Sequence, residues 1–456
     1  MQSKSKVYEM DMCHGPLFSK LLLFAVPLML SGILQLLFNA MDIIVVGRFA
    51  GSQALAAVGA TSALIHLLVN AFIGVSVGAN VLTARAFATD NGKDLYETVH
   101  TAIASALLGG VMLMAAGVAV SEVLLTAMGT PGDVLAQAVL YMRIYFCGMP
   151  FFLVYNFGAA ILNAVGDTRR PLYFLSLAGV TNIIINLILV VVFHMGVAGV
   201  AIATVISQGV SAALIVGALC RAGGGYRLLP KELRIKGEKL VRMLRIGLPA
   251  GIQGMFINFS NVMIQSTINT FGSVAMAGYT AAGNIDGFLY VTVNAVTQTC
   301  LCFTGQNIGV GNYRRADRIL AECVGIVVVL GSVLGVSIYL GGGFLLQAYT
   351  TDPRVIAHGL ERLQVTCIPY FLAGMMDLLP SALRARGHSI APMLVSLSGV
   401  CLFRIFWILC IFPNWRTLLC LYISYPVTWF LTMSIHWLCF YRVRRGEKRR
   451  EKEMLI

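Results

Sequence analysis

Apolar runs long enough to cross a lipid bilayer recur about every 35 residues along the chain. They fall near 21–47, 54–83, 96–126, 133–163, 171–194, 197–220, 246–269, 275–304, 319–347, 363–383, 391–412 and 416–441. A helix crosses the hydrocarbon with roughly 20 apolar residues. An open strand there leaves backbone N–H and C=O groups unpaired, so each run predicts a helix. Several runs are longer than a perpendicular crossing needs, which predicts tilt or protrusion. Composition excludes the soluble reading: 58% of the residues are apolar and 12% charged, too few charges to cover a water-facing surface of this size.

Twelve spans place both termini on one side, and the basic residues say which. With the N-terminus in the cytoplasm, 27 of the 33 Lys and Arg residues fall in inner loops, linker and tails. Arg48, Arg354, Arg362 and Arg416 are left outside, with Arg143 and Arg404 inside spans. The positive-inside rule therefore predicts a multi-pass membrane protein with both termini cytoplasmic. The net charge of +13 follows from this topology and does not call for nucleic acid. The basic tail after Tyr441 is expected to attract anionic lipid. No cleavable signal peptide is expected, because the polar first 14 residues lead into a first apolar run that reads as a span. The eleven cysteines are scattered without a CxxC pair, which argues against disulfide or metal chemistry.

The chain repeats itself. GSQALAAVGA at 51–60 lies over GSVAMAGYTA at 272–281, an offset of 221. The same offset pairs Asn91 with Asn312, Gly166 with Gly387 and Pro171 with Pro392; Pro27 and Pro249 pair one residue out of register. Six spans is an even number, so the two halves enter the membrane in the same direction as parallel repeats. The predicted fold is an all-α integral membrane protein of 12 transmembrane helices in two six-helix lobes. Residues 1–220 form the first lobe, 221–245 a cytoplasmic linker, 246–441 the second lobe and 442–456 a basic cytoplasmic tail.

FNAMDIIVVGRFAGSQALAAVGA, NAVGDTRRP at 163–171, GVAGVAIATVISQ at 196–208, GQNIGVGNYRRADR at 305–318 and SALRARGHSIAP at 381–392 resemble, in order, segments of the multidrug and toxic compound extrusion (MATE) transporters. CLFRIFWI at 401–408 and YISYPVTW at 422–429 are similar to the bacterial DinF-like type. The resemblance implies a secondary active antiporter. It would export amphipathic, often cationic organic compounds in exchange for Na+ or H+ by alternating access, as a monomer and without a cofactor. A lipid-linked saccharide flippase of the same superfamily is the alternative. An enzyme is not expected, since no P-loop, HExxH or sizeable soluble domain is present.

Few acidic residues lie deep in the spans, and each is costly enough to need a reason. Asp42, Asn186 and Thr204 share one depth in the first lobe, with Asn182 one turn from Asn186 on the same face. The resemblance implies a cation site from these four, with Asn186 standing where some members carry Asp. Amide, hydroxyl and carboxylate oxygens suit Na+, and a desolvated carboxylate suits a proton. The second lobe does not copy the site: Asp42 aligns with Met263 or Ile264, and Asn182 and Asn186 with Leu402 and Phe406. Its own candidates for a charge network or substrate contact are Asp286, Asp377 (aligned with Asn156) and Arg404. Mid-membrane Arg404 is expected to pair with Asp286 or Asp377. Gln306, Asn307, Gly166 and Gly387 are expected to serve turns and packing.

Overall fold

The computed structural model describes residues 9–453, and among them every regular element is a helix. In chain order the elements are α1 (Leu17–Ala50), α2 (Ser52–Ala88), α3 (Gly92–Ala127), α4 (Gly132–Cys147), α5 (Met149–Ala164), α6 (Arg169–Val192) and α7 (Gly196–Cys220). The second half contributes α8 (Gly237–Asn269), α9 (Ser273–Gly309), α10 (Tyr313–Leu340), α11 (Gly342–Gln347), α12 (Pro353–Cys367), α13 (Tyr370–Ala385), α14 (Ile390–Asn414) and α15 (Leu418–Glu453).

Nine stretches among the described residues are single helices long and apolar enough to cross a membrane, and two bent pairs bring the number to eleven. The twelfth predicted span is α9, 37 residues long. It carries Thr280, Asn284 and Asp286, which keep it less apolar than its neighbours. The bent pairs are α4 with α5, at 47°, and α12 with α13, at 48°. Gly148 breaks the first and Pro369 the second, again 221 residues apart. Pro369 cannot donate a helical hydrogen bond, and Pro150 opens α5.

The duplication is written in the backbone. Asn91 caps α3 by accepting from Asp94 N, and Asn312 caps α10 by accepting from Arg315 N, both at 3.1 Å. Gly166 and Gly387 take φ of +99° and +91° at matched turns. A Cβ on Gly166 would lie 2.4 Å from Met10 N, so glycine is required there by space as well as by conformation.

Two predicted boundaries change. The run at 363–383 is the second part of a longer unit that begins at Pro353. Its first turns were hidden because Arg354, His358, Glu361 and Arg362 make them look like a loop. The basic tail also continues α15 as helix to Glu453.

The chain sorts into two compact units. Unit 1 holds the segment up to Gly15, Val26–Gly251 and Gly305–Gly311; unit 2 holds Pro16–Ala25, Ile252–Thr304 and the chain from Asn312 onward. Unit 1 therefore includes the first turns of α8 and the last of α9. There α2 and α8 meet backbone to backbone. A Cβ on Gly74 would lie 2.2 Å from Gly251 N, and one on Gly78 would lie 2.2 Å from Met243 O. Gly74/Gly78 and Gly247/Gly251 are two G-x-x-x-G pairs, the pattern that lets membrane helices approach closely. In the same unit Gln306 Nε2 donates to Ala164 O (2.8 Å) and Asn307 Nδ2 to Met12 O (3.2 Å), the packing role expected of both. The linker is pinned to α3: Leu229 N donates to His100 Nε2 (3.0 Å), and Lys239 pairs with Asp94. In unit 2, Phe24 meets Phe303 edge-on at 5.4 Å. The Arg386 side chain, fully buried, pairs with Asp317 (2.7 Å) and with Glu447 of the tail, while Arg444 also binds Asp317.

Candidate functional site

The first site lies in unit 1 where α1 and α6 touch. The contact is close because residue 179 is glycine: a Cβ there would sit 1.9 Å from the Phe38 ring. Phe38 is one helical turn before Asp42, and Gly179 two turns before Asn186, so the small residue lets the two polar groups meet. Asn186 Nδ2 donates to Asp42 Oδ1 at 2.7 Å. Asp42 is about 12 Å along the axis from Ala50, and Asn186 about 9 Å from Val192, so both stand well inside their helices.

Each polar residue is followed by a change in helical winding. Val46–Ala50 and Ile188–Val192 are π-helical turns. Such turns release backbone carbonyls from regular pairing and recur at functional sites.

Asn182 and Asn186 are buried, while Asp42 is half-buried. The Oδ1 atoms of both asparagines are buried without a hydrogen-bond partner. The Oε1 of Gln208 on α7 is in the same state. An acceptor oxygen left unmatched in a low-dielectric interior is costly, and a cation or a proton donor is what would match it. Tyr141 and Tyr145 of α4 stand within electrostatic reach of Asp42, and Gln208 approaches the Tyr145 hydroxyl.

Of the four predicted residues, the structure thus joins Asp42 to Asn186 and places Asn182 one turn away with a free acceptor. Thr204 is half-buried, and its hydroxyl donates to Val200 O of its own helix (3.0 Å). Gln208, Tyr141 and Tyr145 were not singled out by sequence. Gln208 lies one turn beyond Thr204 on α7, a spacing that could have found it.

In unit 2 the predicted network is rearranged. Arg404 does not pair with Asp286 or Asp377. Its Nη1 donates to Asn261 Oδ1 (2.8 Å) and Ser260 Oγ (3.5 Å), its Nε to Thr428 Oγ1 (3.3 Å), and its guanidinium lies 4.2 Å from the Tyr425 ring centroid. Asp286 is taken by Arg362, with Nη2 to Oδ2 at 2.8 Å. Sequence reading put Arg362 in an outer loop; it sits buried on α12, with its guanidinium 3.9 Å from the Tyr279 ring centroid. The nearer cation captured the carboxylate, and polar neutral groups received the other. Asp377 stands within electrostatic reach of Arg384, two turns along α13, and Arg384 Nη2 donates to Gln253 Oε1 (2.6 Å). Asn156, which lies in unit 1, is half-buried, and its Nδ2 donates to Phe152 O of its own helix (2.8 Å). Among the described residues no group of three or more His, Cys, Asp or Glu could hold a metal ion.

The chain is similar to known proteins. Residues 27–188 and 249–408 each match the MatE family profile, one match per repeat. The probable multidrug resistance protein YpnP of Bacillus subtilis (strain 168) is 30% identical over 405 residues, 88% of each chain. The probable multidrug resistance protein YoeA of the same organism is 28% identical over 385 residues, 83% of each chain. A solved structure described as the outward-facing conformation of a multidrug resistance MATE family transporter of the MOP superfamily superposes with a TM-score of 0.89 at 19% identity, covering 98% of this chain and 100% of that one.

Proposed function

The chain belongs to the MatE family of multi-pass membrane transporters, and from that premise we propose that it is a secondary active exporter of amphipathic organic compounds. Two relatives named as probable multidrug resistance proteins support the substrate class. We read the exchange as antiport: a coupling cation enters at Asp42 as an organic molecule leaves. Both termini lie on the cytoplasmic side in this reading, with repeats 1–220 and 246–441 as the two lobes.

One observation carries the coupling site. Asp42 is held by Asn186 while the carbonyl oxygens of Asn182 and Asn186 are buried and unmatched. A carboxylate bonded to Asn186, with two unmatched amide oxygens one turn apart on α6, suits a small hard cation, which takes several oxygen ligands. A proton on Asp42 would match one of these oxygens at most, so the arrangement favours Na+ over H+. Binding there would neutralise Asp42 and supply the missing partner of each amide. That change in charge and hydrogen bonding is what would bias the lobes between their alternating states.

The test is transport of a fluorescent organic cation in proteoliposomes, with sodium and pH gradients imposed separately. Efflux driven by an inward sodium gradient is expected. Efflux responding to pH alone would transfer the site to proton coupling, and indifference to both gradients would refute antiport.

A further inference from the structure

The charges gathered around two tyrosines of unit 2 do not balance. The Tyr279 and Tyr425 hydroxyls are hydrogen-bonded to each other at 2.9 Å. Arg362 lies against the first ring and Arg404 against the second, at 3.9 and 4.2 Å from the ring centroids. Two guanidiniums thus bracket one hydroxyl-linked pair, and among the described residues the one carboxylate that ion-pairs with either is Asp286. Asp286 is committed to Arg362 at 2.8 Å. Arg404 is left with dipoles and a ring face, and among the described residues it makes no ion pair.

Arg404 is 2% exposed and sits about 15 Å along α14 from Asn414, deep in its helix. An arginine in such a place is ordinarily paired or faces a cavity that lets in water or ligand. The helix is also irregular around it, with π-helical turns at Leu397–Leu402 and Trp407–Ile411 enclosing Arg404 in one regular turn. Of its partners, Ser260, Thr428 and Tyr425 are buried, whereas Asn261 is half-buried. Asn261 is therefore the one hydrogen-bond partner of Arg404 that is partly accessible. Its carbonyl oxygen occupies, at 2.8 Å, the place an anionic oxygen or halide would take.

We propose that Arg404 is an anion-recognition group, taking a compact monovalent anion: either the carboxylate of an organic substrate or a free chloride ion. It rests on the reading of the chain as an exporter of organic molecules only in the first of these cases. An anion seated there would restore neutrality around Tyr279 and Tyr425. It would also let the transporter accept zwitterions, whose cationic part needs no contact with Arg404.

The test is equilibrium binding, without gradients, to protein in nanodiscs. Rhodamine B carries a carboxylate and its ethyl ester does not, while both carry the same cationic dye. The acid is expected to bind on the order of tenfold more tightly than the ester to the wild type, as for a hydrogen bond to a charged group. Arg404→Gln is expected to equalise the two by weakening only the acid. Asn261→Asp supplies a carboxylate from within and is expected to do the same with Arg404 in place, so the test survives a misfolded Arg404→Gln. In a separate arm, chloride replaces gluconate during thermal melting. Equal dye affinities with a chloride-dependent rise in melting temperature, lost in Asn261→Asp, would assign the site to the free ion. If neither dye binds, the organic-exporter reading fails and the chloride series alone judges Arg404. Equal dye affinities with no effect of chloride would overturn the proposal, as would an acid preference that persists in both variants.

Discussion

Glycines on α2 and α8 should respond differently to the same added methyl group. A Cβ at Gly251 would lie 2.6 Å from Ala71 O and 2.7 Å from Ala71 Cα, and one at Gly247 would lie 2.5 Å from Gly74 O. A Cβ at Gly254 would meet nothing within 4 Å. An ordinary contact needs roughly 3.5 Å, and the obstructing atoms at Gly251 belong to backbone, which cannot rotate away. Gly251→Ala must therefore push α2 and α8 apart by about 1 Å. The cost of such overpacking is about 1–3 kcal/mol. Gly254→Ala incurs none of it and gains helix propensity of up to about 1 kcal/mol. Gly74→Ala, which meets Gly251 N at 2.2 Å, should match Gly251→Ala in sign. Thermal melting of the purified protein in one detergent compares all three. The expected order is Gly254→Ala at or above wild type, with the other two lower by a few degrees. Equal effects at Gly251 and Gly254 would refute the close backbone contact as a source of stability.

Other consequences can be checked in the same preparations. Asp42→Asn keeps the shape but removes the charge, so gradient-driven efflux should fall by more than about tenfold while melting is preserved; undiminished efflux would exclude Asp42 from coupling. Gly179→Val should displace the Phe38 ring, part Asp42 from Asn186 and depress transport, whereas wild-type transport in that variant would mean that the α1–α6 contact is dispensable. Asp286→Asn leaves Arg362 charged and buried, a loss of about 3–5 kcal/mol for a broken buried pair. The double change Asp286→Asn with Arg362→Gln should recover part of that loss, and a double variant no more stable than Asp286→Asn would show that the two residues are not coupled.

The architecture was legible because hydrophobic length and charge asymmetry act through lipid, the same way in every span. The repeat was legible for a similar reason: Asn91 with Asn312, and Gly166 with Gly387, are needed by backbone geometry at equivalent turns, so they survive divergence of everything around them. The site at Asp42 came partly from depth, since residues of α1 and α6 at one level are able to meet. What depth could not decide was pairing. Arg362, Asp286 and Arg404 are all reachable from one another by counting residues, and only side-chain packing determines which guanidinium takes the single carboxylate. Arg362 was misplaced because a half-polar helix with a buried ion pair looks, residue by residue, like an exposed loop. The glycine pairs on α2 and α8 were visible as G-x-x-x-G spacings, yet a small residue reveals a close contact only when its partner helix is known.

The segment exchange between the two units bears on how the protein is made. Unit 1 is not complete when its own seven helices have been synthesised, because it also contains the start of α8 and residues Gly305–Gly311. A ribosome must translate beyond residue 251 before Gly74 and Gly78 find their partner, and beyond residue 307 before Asn307 binds the chain at Met12. Until then the first half carries an unfilled glycine notch on α2. Early release of the chain at the linker would leave that notch open. The two repeats, though duplicates by origin, are thus committed to being born as one polypeptide or to meeting promptly in the same membrane.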